Sequence, residues 1–308
     1  MSKTAAKKAM SQGRKQARTT LETRAAALRE RAAALSAATP EAVVPTASVS
    51  LQALSGGSGS AGVLVAEGDS WFDYPGTDVL SVLEDSFGYD VESVAHKGDR
   101  VEDMAYGGGQ LDKFTRTLEK VIRRGTIPKA ILLSGGGNDI AGDEFRVLLN
   151  HAESPVSGLD KRVLDGVINY RLFYSYLTII AAITAVCKAK AGRTLPILVH
   201  GYDYPIADGR GYWGGWWKLP GPWLEPGFRE KGFVDPARMD KILTTMIDTF
   251  NKMLVRVAAE PAFAHVTFVD LRGTLPKTPS QYKKWWDNEL HPTKKGFKRV
   301  AALFAAAL

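Results

Sequence analysis

Val63-Leu64-Val65-Ala66, followed at once by Gly68-Asp69-Ser70-Trp71-Phe72, decides how the rest of the chain is read. Four apolar residues in a row fit a strand buried on both faces, and the Gly-Asp-Ser after them turns the chain toward a helix expected over 78–87. A serine at such a turn presents its hydroxyl at the mouth of a sheet, where backbone N–H groups of the next turn also point. The tripeptide alone weighs little, because serine at that position also serves as a helix cap. Three further blocks follow it in order: Gly98 in Lys97-Gly98-Asp99, then Gly135-Gly136-Gly137-Asn138-Asp139, then Glu289-Leu290-His291-Pro292.

Outward from Ser70, apolar strands alternate with helical patterns. Strands are expected over 63–66, 91–95, 130–133, 196–200 and 266–269. Helices are expected over 78–87, 111–124, 143–150, 163–190, 237–258 and 292–308. This βα alternation predicts an α/β fold with a central parallel sheet covered on both faces. Ligands of such sheets sit beyond the carboxyl ends of the strands. Ser70, Gly98, Asn138 and Gly201 all fall just past expected strand ends.

The four blocks, in this order over residues 68–291, resemble the SGNH hydrolases, also called the GDSL esterase/lipase family. The resemblance implies a flavodoxin-like three-layer αβα sandwich and a serine ester hydrolase acting on an acyl or acetyl ester through an acyl-enzyme, with an O-acylated carbohydrate or a lipid as possible substrates. Ser70 would be the nucleophile and His291 its general base. The backbone N–H groups of Ser70 and Gly98 and the amide of Asn138 would hold the oxyanion. Glycine at 98 and at 135–137 would allow close backbone approach. Pro292 is expected in the first turn of the closing helix.

One position departs from the family pattern, which places an aspartate three residues before the histidine. Here that residue is Asn288, with Asp287 before it and Glu289 after it. Three arrangements are open: Asn288 orients His291, Asp287 reaches it through a shifted turn, or a backbone carbonyl accepts the Nδ1 proton. A carboxylate stabilises an imidazolium where an amide only orients it, so the second and third are the expectation for an efficient enzyme. The substrate walls are expected from Trp71, from His200 and Tyr202 at a strand end, and from Trp213, Trp216 and Trp217 in a long aromatic loop. His200 is the rival to His291 as base. Asp139, Asp143 and Glu144 read as caps of the helix that follows. No metal motif stands out, and no cofactor is expected.

Residues 1–60 differ from the rest. They hold nine Lys/Arg against three Glu, whereas the remaining 31 basic and 30 acidic groups nearly cancel. Leu21, Leu28 and Leu35 with Ala25 and Ala32 suggest a helix over 20–37 that opens on a Thr19–Glu22 capping box. The Pro- and Gly/Ser-rich stretch 40–60 reads as a linker. The domain reading is therefore a basic helical tail and linker over 1–60 and a hydrolase domain over 61–308. The tail is expected to be dispensable for activity on small esters. An alternative reading is a non-catalytic module of this fold, tethered by the tail to nucleic acid or another anionic surface; the catalytic part itself would bind a small ester or acylated glycan. Cys187 stands alone, and the uncharged run Leu172 to Cys187 is 16 residues, short for a membrane span. With no secretory signal visible, a cytoplasmic location is expected.

Overall fold

The structure, a computed structural model, describes residues 2–38, 59–212 and 220–308. In chain order its elements are α1 Lys3–Ala38, β1 Gly62–Glu67, α2 Val79–Phe87, β2 Tyr89–Ser93, α3 Val101–Tyr106, α4 Gln110–Arg123 and β3 Ala130–Leu133. Next come α5 Asp143–Leu148, the two short strands β4 Leu149–Asn150 and β5 Gly158–Leu159, and α6 Lys161–Leu164, which runs through a π-helical stretch Asp165–Leu172 into α7 Phe173–Ala191. The chain closes with β6 Ile197–His200, α8 Glu225–Glu230, α9 Pro236–Ala258, β7 Val266–Val269 and α10 Lys294–Ala307. Most of the sequence 40–60 read as a linker lies outside the described residues.

Five strands pair in parallel in the order β2-β1-β3-β6-β7, while β4 and β5 form a separate antiparallel ribbon. The chain steps from β1 out to β2 and then crosses back to β3 on the other side. That reversal opens a crevice beyond the carboxyl ends of β1 and β3, the usual ligand position in doubly wound sheets. Ser70 follows β1 and Asn138 follows β3, so the expected α/β fold puts both at this crevice. All four residues of β3 are buried, which explains its unbroken apolar sequence. β2 is an edge strand with Asp90, Glu92 and Ser93 exposed. It starts two residues earlier than its apolar residues suggest, because Tyr89 pairs with Gly62.

Local chemistry sets the helix ends. Asp78 and Ser81 form a reciprocal capping box at α2, and Asp235 with Pro236 opens α9. At α10 the cap is Thr293, whose hydroxyl accepts from Gly296 N at 3.2 Å. Pro292 therefore sits before the cap and not in the first turn. Asp139 does not cap the helix after it. Its Oδ2 accepts from Val101 N at 3.0 Å, capping α3, whose own N-terminal residue Arg100 supplies no side-chain bond.

The N-terminal helix is longer than expected and docks on the domain. The Thr19–Glu22 capping box lies inside it, and Leu35 is 59% exposed. Its buried face is instead Ala6, Ala9, Met10, Gly13, Ala17 and Thr20, a stripe at helical spacing made almost entirely of small residues. This face lies on α7, and the approach is close enough that a Cβ on Gly13 would stand 2.0 Å from the Thr178 carbonyl oxygen. The Thr178 hydroxyl in turn donates to the Ala9 carbonyl at 3.2 Å. Polar contacts continue onto α4, where Thr20 donates to Asp112 at 2.8 Å and Arg24 lies 3.5 Å from the buried Glu119. Helix α7 is apolar around its circumference and buried nearly throughout, as a helix covered on all sides must be. The stretch Lys161–Ala191 is long and apolar enough to cross a membrane, yet its apolar window is 78% buried inside the fold.

Gly13→Leu is expected to wedge α1 off α7. Overpacking of this kind costs ~1–3 kcal/mol, so the melting temperature should fall measurably in a thermal scan. An unchanged melting temperature would mean that α1 is not seated on α7 in solution.

Candidate active site

Two elements far apart in sequence meet over the crevice. Ser70 Oγ lies 2.7 Å from His291 Nε2. Ser70 is held at the turn after β1 because the Asp69 carboxylate staples that turn from several sides. Its Oδ1 accepts from Trp71 N at 3.0 Å and from Ser134 Oγ at 2.8 Å, and its Oδ2 accepts the Tyr202 hydroxyl. That hydroxyl also accepts from Gly137 N at 3.0 Å, which ties the β1 turn to the glycine loop after β3.

His291 belongs to a narrow loop between Trp285 and Thr293. Trp286 bridges Pro292, Asp287 N donates to the His291 carbonyl at 2.8 Å, and Thr293 N donates to the Trp285 carbonyl at 2.8 Å. Asn288 sits at the tip, with its Oδ1 2.9 Å from His291 Nδ1. The same oxygen accepts from the backbone N–H groups of Leu290 at 3.0 Å and His291 at 2.9 Å. The two backbone donors identify this atom as the amide oxygen. Nδ1 therefore carries the ring proton, and Nε2 is the bare nitrogen that accepts from Ser70. Of the three arrangements open in the sequence, the geometry selects Asn288 as the direct partner. Asp287 does not reach the imidazole; its Oδ2 accepts from the Tyr74 hydroxyl at 2.7 Å. The Tyr74 ring stacks on His291 with centroids 4.4 Å apart, and Trp223 meets the same ring edge-on at 5.5 Å. So enclosed, His291 is 6% exposed, and burial pushes its pKa down to about 3.

Asn138 lies on the other side of Ser70. Its Nδ2 donates to the Asp99 carbonyl at 2.9 Å, so one amide hydrogen anchors the side chain to the loop that carries Gly98 and the other is free of that bond. Crowding explains the glycines before it: a Cβ would stand 2.5 Å from Val101 at Gly135 and 2.4 Å from Phe250 at Gly136. Gly98 has a different reason. No protein atom lies within 4 Å of its Cβ position, but its φ of 89° favours glycine. Ser70, Asn138 and His291 line a cavity of about 40 Å³ together with apolar residues that include Ile140, Met246 and Leu290. A nucleophile, a base with the correct nitrogen free, and an amide donor thus surround one small apolar hole, the arrangement that acyl transfer needs.

The profile of the GDSL-like lipase/acylhydrolase family matches residues 54–299. The chain belongs to that family. It is therefore an ester-bond hydrolase at the level the family defines. No curated protein matches it. Among solved structures it is similar to a lipase from a goat rumen metagenome at 14% identity, over 80% of this chain and 97% of that one, with a TM-score of 0.49. It is similar also to an extracellular lipase from Streptomyces rimosus at 18% identity, over 80% and 100% of the two chains, with a TM-score of 0.43. A third, an acetylxylan esterase from Geobacillus stearothermophilus, is 16% identical over 80% and 94%, with a TM-score of 0.42.

Other residues expected at this GDSL-type site divide. Trp71 and Tyr202 line the cavity, and Trp71 Nε1 donates to the Leu290 carbonyl at 3.1 Å, bracing the histidine loop. His200 does not reach the cavity. It is fully buried behind Trp71, Phe72 and Tyr202, and its Nδ1 is 2.6 Å from the Gly201 carbonyl. All four residues of β6 are buried, and His200 is a core histidine, neither a substrate wall nor a rival base. Trp213, Trp216 and Trp217 lie outside the described residues.

Two residues gain roles that sequence reading missed. Tyr74 is one. The other is Glu289, wholly buried beside His291, whose carboxylate accepts four backbone N–H groups: Gly209 at 3.0 Å, Trp223 at 2.6 Å, Leu224 at 2.7 Å and Glu225 at 3.0 Å. It clasps both ends of the aromatic segment to the histidine loop. A glutamate two residues before the histidine was visible in the sequence, but its four donors come from segments more than sixty residues away.

Glu289→Gln is expected to leave at least one of these N–H groups facing an amide NH₂, at ~1–3 kcal/mol in denaturant unfolding. Unchanged stability would mean that water already serves these donors. A second expectation concerns pH. His291 must be neutral to take a proton, and its pKa is depressed from 6.5 to about 3. The acid limb of kcat/KM on p-nitrophenyl acetate should therefore lie well below 6.5. Across that window the unfolded chain binds a proton that native His291 refuses, so His291 makes stability fall as pH falls. A limb with its midpoint near 6.5 would show that His291 is solvated in the working enzyme.

Proposed function

We propose that this GDSL-family hydrolase cleaves a short acyl ester, of acetyl to butyryl size, by way of an acyl-enzyme on Ser70. The observation that carries this reading is the 2.7 Å contact between Ser70 Oγ and the unprotonated His291 Nε2 at the mouth of a small apolar cavity. Ser70 Oγ attacks the acyl carbon while its proton passes to Nε2. The oxyanion is met by the backbone N–H groups of Ser70 and Gly98 and by the free hydrogen of the Asn138 amide, each donor of this kind lowering the barrier by ~3–4 kcal/mol. Collapse of the tetrahedral adduct expels the alcohol, which takes the proton back from His291. Water, activated by the same nitrogen, then releases the acid.

The cavity supports a short acyl group. It is small, and Ile140, Met246 and Leu290 make its wall apolar. The alcohol side would face the segment that begins at Tyr202, and an O-acylated carbohydrate or another small ester fits this side equally.

Hydrolysis of p-nitrophenyl acetate and butyrate by the wild type, Ser70→Ala and His291→Ala tests the reading. Each substitution is expected to lower kcat by ~10³-fold or more. Turnover by Ser70→Ala at the wild-type rate would end it. A wild type no faster than Ser70→Ala on a broad ester panel would instead favour a binding role for the fold.

A further inference from the structure

Asn288 leaves the catalytic base without the carboxylate that normally neutralises an imidazolium. We propose that Tyr74 and Asp287 supply it at one remove, as positioning residues acting through the Asn288 amide on His291. The inference rests on the serine–histidine reading of the site and adds how its base is held and strengthened.

The hydrogen bonds run in one direction from the serine outward. Ser70 Oγ donates to His291 Nε2 at 2.7 Å, and His291 Nδ1 donates to Asn288 Oδ1 at 2.9 Å. Asn288 Nδ2 then donates to the Tyr74 hydroxyl at 2.9 Å and, over a longer 3.4 Å, to Asp287 Oδ2 itself, and the Tyr74 hydroxyl donates to that same Asp287 oxygen at 2.7 Å. The chain ends on a carboxylate, which has only acceptors to offer, so no link can reverse without breaking another. Asp287 holds Tyr74 as a donor, which leaves the phenol lone pair for Nδ2. That fixes the amide with its oxygen on the imidazole and keeps the ring proton on Nδ1.

Direction is half of the argument; strength is the other half. Asn288 Oδ1 is shared among three N–H donors, those of Leu290, His291 and the imidazole. Two lone pairs divided three ways make a weak partner for a ring that must become cationic. Hydrogen bonds in series polarise one another by ~10–30% per bond, and a charge at the far end polarises an amide toward its oxygen. Tyr74 adds a second effect. Its ring face lies 4.4 Å from His291 at an interplanar angle of 23°, where the negative face of the ring favours an imidazolium. Burial and Asp287 both push the Tyr74 hydroxyl pKa further up, so it stays protonated as the chain requires.

The neighbouring charges have other partners. Arg210 donates to the carbonyls of Trp286 and Asp287 and pairs with Asp208, which braces the loop without touching the Asp287 carboxylate. Glu289 is turned away onto the aromatic segment, and Asp73 accepts from Lys97 N at 3.0 Å. Among the described residues, Asp287 is thus the carboxylate joined by hydrogen bonds to the far side of the histidine.

The test uses the full chain with Tyr74→Phe, Asp287→Asn, both together, and the exchange Asp287→Asn with Asn288→Asp. Tyr74→Phe keeps the stacked ring and removes only the hydroxyl. Two readouts are taken. The first is the proton NMR resonance of His291 Nδ1–H, which moves downfield as its hydrogen bond strengthens and needs no turnover. The second is kcat and KM on p-nitrophenyl acetate. The proposal expects the resonance to move upfield in both single variants, and kcat to fall ~tenfold with KM unchanged. The double variant should lose no more than Asp287→Asn alone, because both the Tyr74 branch and the direct contact end on the Asp287 carboxylate. In the exchanged protein the carboxylate meets Nδ1 directly, so activity should return and adding Tyr74→Phe should cost little. A resonance and a kcat that stay at wild-type values in both single variants would overturn the relay, even with Ser70→Ala and His291→Ala inactive. If Ser70→Ala kept full turnover while the resonance still moved, the relay would stand and the hydrolytic reading of Ser70 would fall.

Discussion

Ser70 Oγ and His291 Nε2 are 221 positions apart in the chain and 2.7 Å apart in space, and the rest of the molecule exists around that contact. The strand order β2-β1-β3-β6-β7 makes it possible. Because the chain reverses between β1 and β3, the ends of these two strands border an open crevice, and every later βα unit returns a loop to the same edge. The last of those loops carries His291. Neither residue has a local reason to be where it is; Asp69 fastens one and the 285–293 loop the other.

Buried acids tie the crevice together alongside its apolar packing. Asp69 gathers Trp71, Ser134 and Tyr202, Asp139 caps α3 from another element, and Glu289 gathers four backbone N–H groups. Each is almost fully buried, and burial pushes Glu289 upward and Asp139 up to about 7. A carboxylate in such a place is costly unless donors surround it, and here the donors are the loops whose positions matter. The desolvation cost is thereby turned into order at the site, with each acid acting as the node where two or three distant segments meet.

The sheet and the three residues Ser70, Asn138 and His291 were legible because strand-end position and side-chain chemistry agree for the first two, and the Glu-Leu-His-Pro block before the closing helix marked the third. What stayed hidden depends on directions that spacing does not encode. Counting back from His291 finds Asn288, but only the turn shows that its oxygen faces Nδ1 and that Asp287 faces away. His200 ends β6, yet that strand is buried on both faces and the ring packs against Trp71, Phe72 and Tyr202 without reaching the cavity. The docking of α1 was invisible for the opposite reason. Its contact face is alanine, glycine and threonine with a single methionine, so it carries little hydrophobic signal, and Gly13 reads as a weakness in a helix until Thr178 is seen pressed against it.

The seating of α1 on α7 also orders events in time. Synthesis completes α1 at Ala38, whereas α7 begins at Phe173. At ~5–20 residues per second, the ribosome makes the second partner on the order of ten seconds after the first. Throughout that interval α1 lacks its main partner, with only α3 and α4 made to meet it, and the apolar α7, once made, is uncovered until the two meet. The chain thus carries its own cover for its most apolar helix, already synthesised and near at hand when that helix emerges.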